Sequence, residues 1–202
     1  MNNRKDEFIQ LQNINRLTRN KSVNYEVTGY ANTFGTNKLR YIKTGQSQMD
    51  PVKQRMYVLF PEGKRMLWHT HPHNAGYWPS FEDLTHGGGY PNSPLNVLFT
   101  KYGTWIYNGF IYSNSKRVGA LFHSLNEIWT VMHNNMLRIW CANKVSPNEI
   151  MNIFNKFISD SNKIGYDIEF VPNFSSTDNN IQNHIKRVQN SISPRFNNVK
   201  HK

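Results

Sequence analysis

One cysteine, Cys141, stands in a chain of 202 residues. It rules out an internal disulfide and fits a reducing, intracellular compartment, cytoplasm or nucleus, virus-associated settings included. Acidic residues are also scarce: 13 Asp and Glu face 24 Lys and Arg, for a formal net charge of +11. No apolar run approaches the ~20 residues needed to cross a bilayer, and "MNNRKDEFIQ" at the start has no apolar core of a secretory signal. No membrane partner is therefore expected. Runs of five or six like charges are missing too, which weakens direct nucleic-acid binding as a function.

What remains is enough to fold. Hydrophobic residues make up 38 % and aromatics 13 % of the chain, and its length suits one sizeable domain with its own core. The positive charge is spread along it: residues 36–66 carry seven basic and two acidic residues, and the stretch after Phe174 carries five and one. Such a surface favours an acidic partner, either protein or nucleic acid, beside the plainer reading of solubilising charge. Cys141 lies in the apolar "MLRIWCAN" and reads as a core thiol rather than a nucleophile.

Phe8, Leu11, Ile14 or Asn15, and Leu17 fall near helical spacing and predict an amphipathic first helix over residues 4–19. "YEVTGYANT" and "KLRYIKTG" read as strands, as do "RMYVLF" and "RMLWHTH", the latter two joined by the turn "PEGK". "SFEDLTH" reads as a short helix ended by Gly87, Gly88 and Gly89. "LNVLFT" and "TWIYNGF" flank Lys101-Tyr102-Gly103 as a hairpin, with glycine available for positive φ. Residues 124–140 are mostly helical in pattern. Ser146-Pro147-Asn148-Glu149 forms a capping box before the stripe Ile150, Ile153, Phe154, Phe157, Ile158. "YDIEFVP" predicts a closing strand. Residues 1–173 then make the domain, and 174–202 a basic, polar tail, extended apart from a short helix at 181–189. Helices and strands intermix without a βαβ repeat, so the fold class is α+β.

Chemistry concentrates in "HTHPHNAGYWPSFED", residues 69–83. Side chains two apart on a strand share a face, so His69 and His71 can supply two ligands of a three-ligand zinc site. Ser80 and Asp83 sit three apart at a helix start. That spacing makes a capping box, and it also lets Asp83 serve as third ligand if the turn folds back over the strand end. An H-x-H pair alone is common by chance. His73 follows Pro72, which interrupts strand geometry, and His86 sits beside three glycines, so both rank below the first pair.

H-T-H-P, eight residues between His71 and Ser80, and P-S-x-x-D together resemble the JAMM (MPN-plus) metalloprotease motif. That family also carries an upstream glutamate on the strand after its first helix, with glycine three residues on; Glu26 and Gly29 in "YEVTGY" match. Glu62, only seven residues before His69, is the rival. The resemblance covers residues from about 4 to 110 and fades beyond. It implies a JAMM/MPN-like (cytidine-deaminase-like) mixed sheet flanked by helices, with Zn2+ on His69, His71 and Asp83. By the same resemblance Glu26 is the general base and Ser80 the oxyanion donor, and an amide bond is hydrolysed. In this family that bond is often the isopeptide joining ubiquitin or a ubiquitin-like modifier to lysine. The competing expectation is a non-enzymatic scaffold of a large assembly, a nucleoprotein or virus-like particle, that keeps the metal site.

Overall fold

The computed structural model describes residues 3–23, 25–31, 40–41, 48–50, 55–57, 66–73, 75–86, 95–108, 116–142, 146–174 and 177–198. The first helix, α1 (Asn3–Leu17), buries Leu11 and Ile14 at the predicted spacing, with Asn15 beside them. Strands β1 (Thr28–Ala31) and β2 (Arg40–Tyr41) pair antiparallel, and β3 (Gln48–Asp50) and β4 (Arg55–Tyr57) form a separate two-stranded sheet. There follow β5 (Met66–Thr70), the short helix α2 (Phe81–His86), and the hairpin of β6 (Leu95–Thr100) and β7 (Gly103–Asn108). Helices α3 (Lys116–Cys141) and α4 (Pro147–Lys163), strand β8 (Ile168–Pro172) and helix α5 (Asp178–Asn198) complete the order.

The main sheet runs β2-β1-β5-β6-β7-β8. Only β5 and β6 run parallel; every other neighbouring pair in it is antiparallel. The fold is thus α+β, a mixed sheet with helices on both faces. Period-two alternation sorts the side chains. Met66, Trp68, Val97, Phe99, Ile106 and Val171 pack with Leu11, Ile14, Ile185 and Val188 under α1 and α5. Leu98, Trp105, Tyr107, Ile168 and Phe170 pack with Met132, Met136, Phe154 and Phe157 under α3 and α4. Helix packing on both faces explains why all five residues of β5 are buried.

Several expectations change. The C-terminal segment is no extended tail: α5 runs 21 residues and buries Ile181, Ile185, Val188 and Ile192, an i, i+4, i+7, i+11 stripe hidden among polar letters. Cys141 is exposed at the end of α3, on the solvent side of an amphipathic helix rather than in the core. "RMYVLF" and "RMLWHTH" are not partners among the described residues: β4 pairs with β3, and β5 with β1 and β6. The "PEGK" turn, Glu62 within it, and Gly87, Gly88 and Gly89 lie outside the described residues. Gly103 does not adopt positive φ. A Cβ there would stand 2.4 Å from the Phe170 ring and 2.5 Å from the Val171 carbonyl, so close approach of β8 demands glycine. Ser146 caps α4 in extended conformation without a side-chain hydrogen bond, leaving Pro147 as the starting signal.

Candidate metal centre

The β1–β5 register assembles the first part of the site. Thr28 lies opposite His69, so carrying the antiparallel ladder two residues further sets Glu26 opposite His71. Two bonds continue the ladder to that point: the Thr70 N–H donates to the Val27 carbonyl, and the Val27 N–H to Thr70 Oγ1, both at 2.9 Å. Directly opposed residues share a face of the sheet. Glu26, His69 and His71 therefore converge, with Glu26 Oε1 3.8 Å from His71 Nε2 and the two imidazole centroids 5.4 Å apart. Across the other edge the His71 N–H donates to the Phe99 carbonyl at 2.9 Å, which holds the strand end against β6.

Asp83 arrives from α2, and the capping box and the ligand reading both hold. The Ser80 N–H donates to Asp83 Oδ2 at 2.7 Å and the Asp83 N–H donates to Ser80 Oγ at 3.0 Å, the reciprocal pair of a capped helix. The same carboxylate places Oδ1 3.3 Å from His69 Nε2 and Oδ2 3.4 Å from His71 Nε2. Charge-assisted N–H···O bonds run about 2.7–2.9 Å, so both contacts are long for an ion pair. Ligand atoms roughly 2.0–2.1 Å from one tetrahedral zinc stand about 3.3–3.4 Å apart; each imidazole meets that separation with a different oxygen of the carboxylate, His69 with Oδ1 and His71 with Oδ2. One donor atom from each of His69, His71 and Asp83 falls within 4.8 Å of the others, and among the described residues this is the group suited to a metal ion.

The surroundings set the protonation of His71 and Asp83. His71 Nδ1 lies 2.8 Å from the Gly76 carbonyl, which can only accept, so Nδ1 carries the hydrogen. That leaves Nε2 with its lone pair toward Asp83 whenever the ring is neutral, the outer-shell arrangement usual for a metal-bound histidine. Burial works to lower the His71 pKa, but the hydrogen bond and charge of Asp83, with Glu26 and Gly76 behind them, raise it to about 9. Burial works to raise the Asp83 pKa, and the two histidines override it and hold the carboxyl well below its ordinary value. Burial, then the Asp83 charge, push the Tyr107 and Tyr166 phenols well above theirs, so both stay neutral beside the site.

Tryptophans hold the loop between the ligands, which the motif does not reveal. Trp105 Nε1–H donates to the Tyr77 carbonyl at 3.0 Å and Trp129 Nε1–H to the Pro79 carbonyl at 2.9 Å. Trp78 Nε1–H donates to His133 Nδ1 at 3.0 Å, and the His133 ring stacks on Trp129 at 4.5 Å. Tyr166 donates to the Leu84 carbonyl at 2.9 Å and fixes α2 from the α4 side. Indole N–H is donor-only and seeks an acceptor when buried; the chain's tryptophan content was the available signal, without a way to pair it to carbonyls. His73 is half-buried and stands apart from the three-ligand group, its pKa lowered by burial and by Lys101 and Lys21. The His86 side chain lies outside the described residues.

Comparison of the chain with family models, with curated proteins and with solved structures gives no match.

Proposed function

We propose that the chain is a zinc-dependent hydrolase of amide bonds of the JAMM (MPN-plus) kind, an isopeptidase that removes ubiquitin or a ubiquitin-like modifier from a protein. The observation that carries this reading is the separation of His69 Nε2 and His71 Nε2 from the Asp83 carboxylate, 3.3 and 3.4 Å, with Glu26 Oε1 3.8 Å from His71. The donor set fits zinc: two imidazoles and one carboxylate leave a fourth position open, as catalytic sites do and structural sites do not. Zinc, when bound, supplies Lewis acidity and makes hydroxide available near neutral pH.

The chain's own residues supply the rest. Glu26 stands beside the ligands with its side chain 17 % exposed. It accepts the proton of the attacking water and passes it to the leaving amine. The Ser80 oxygen already accepts the Asp83 N–H, so its hydroxyl hydrogen is left to donate to the substrate carbonyl oxygen as that oxygen gains charge. Asp83 is kept ionised and His71 is kept in one tautomer, so neither must reorganise during the reaction.

The test is Glu26→Gln, assayed with the wild type across a panel of ubiquitin-like conjugates. The variant is expected to keep its zinc and to lose roughly 10²–10⁴-fold in turnover, the usual worth of a positioned base. Full activity in the variant would remove Glu26 from the mechanism.

A further inference from the structure

The peptide group joining Pro79 to Ser80 is held at both ends. Its carbonyl accepts the Trp129 Nε1–H at 2.9 Å, and its N–H donates to Asp83 Oδ2 at 2.7 Å. The orientation of Ser80 therefore depends on the Trp129 indole as well as on the helix cap. Trp129 in turn rests on His133, four residues further along α3 and so on the same face of that helix. The two rings stack with centroids 4.5 Å apart and planes 16° from parallel. Through its edge His133 also takes hold of the loop: Nδ1 accepts the Trp78 Nε1–H at 3.0 Å, and the Trp78 and His133 rings meet edge to face at 5.8 Å. His133 thus joins the tryptophan that precedes Pro79 in the chain to the tryptophan that holds the Pro79 carbonyl.

One protonation state of His133 makes this bridge. An indole N–H can only donate, so Nδ1 must keep its lone pair, and the ring is neutral with its hydrogen on Nε2. A second proton would sit on Nδ1 and set donor against donor. Among the described residues the ring and hydrogen-bond contacts of His133 are Trp78 and Trp129, neither of them charged. A tryptophan face favours a cation above it, but burial outweighs this and lowers the His133 pKa from its ordinary 6.5. The bridge is therefore whole at neutral pH and above, and it is lost as pH falls through the lowered pKa.

We propose that His133 is a positioning residue for Ser80: neutral, it locks Trp129 on the Pro79 carbonyl and Trp78 on α3, and protonated, it releases the loop. This role rests on the peptidase reading, in which Ser80 is the oxyanion donor. Such a donor acts on the transition state, so its misplacement lowers kcat and leaves KM alone. A histidine that merely filled space on α3 would need no acceptor at the Nδ1 position.

The test is solvent exchange of the assigned Trp78 and Trp129 indole N–H groups, followed by proton–nitrogen NMR on the full, metal-free chain. In the wild type both signals are expected to be protected at neutral pH and to shift together with one midpoint below 6.5 as pH falls. In His133→Ala both are expected to exchange about tenfold faster or more, as a local opening entails. His133→Asn places Oδ1 near the position of Nδ1 and does not titrate, so it is expected to keep the Trp78 N–H protected and to abolish the shift. Unchanged Trp129 exchange in His133→Ala, or a Trp78 shift that survives in His133→Asn, overturns the proposal. The wild-type titration needs no variant: separate midpoints for the two signals, or no shift, overturn it even where His133→Ala does not fold. With zinc restored, His133→Ala is expected to lose roughly tenfold to hundredfold in kcat at unchanged KM, with His133→Asn restoring most of it; a loss carried by KM overturns the role. Absence of cleavage by the wild type removes the peptidase reading and leaves the exchange results standing, so the two failures are distinct.

Discussion

His71 is where opposing demands meet. The Gly76 carbonyl fixes its tautomer, while Asp83 and Glu26 pull a second proton onto Nε2 and raise its pKa to about 9. Without metal, the charged form is favoured in the folded state. Its contribution to stability is fully present below the ordinary value near 6.5 and is lost as pH rises through about 9. A metal ion needs the neutral ring and must displace that proton. Zinc affinity is therefore expected to climb with pH, roughly a hundredfold between pH 7 and pH 9 at one proton per metal, and to level off above. Competition titrations against a chelator of known pH dependence measure this; a flat affinity across that window would mean that His71 does not ligate. His69, His71, Ser80 and Asp83 were legible in the sequence because strand alternation and one helical turn are short-range rules, whereas Glu26 was singled out only through the family resemblance. Their convergence depends on a register and a loop path that letters do not carry.

The pairing of β1 with β5 brings Glu26 to the histidines, and Gly29 is the element's tight point. A Cβ at Gly29 would fall 2.1 Å from the Trp68 indole, which packs edge to face with Phe99 and cannot withdraw easily. Gly29→Ala is expected to destabilise the protein by about 1–3 kcal/mol through overpacking, read as a lower denaturant midpoint at constant slope. An unchanged midpoint would show that β1 can shift without cost. The hairpin and the strand-borne histidines were readable because alternation and turn residues are local. The partner of β5 was not, since "RMYVLF" and "YEVTGY" are equally strand-like and only packing chooses between them. The tryptophan-to-carbonyl bonds were hidden for a related reason: Trp105 meets Tyr77, and Trp129 meets Pro79, across 28 and 50 residues of sequence.

Over the whole molecule, helices cover both faces of one mixed sheet, and α5, expected as an extended tail, packs with α1 on one of them. Its many asparagines masked the stripe Ile181, Ile185, Val188, Ile192, because composition averages over a helix whose buried side is narrow. No helix among the described residues is long and apolar enough to cross a membrane. The candidate site is a product of this whole arrangement: a carboxylate before β1, two imidazoles at the end of β5 and a second carboxylate on α2 meet only in the folded chain. Metal content of the purified, folded protein therefore tests the central claim most directly. Elemental analysis is expected to find close to one zinc per chain in the wild type and in Glu26→Gln, and well below one in His71→Ala and Asp83→Ala. Stoichiometric metal retained in both ligand variants would contradict the site.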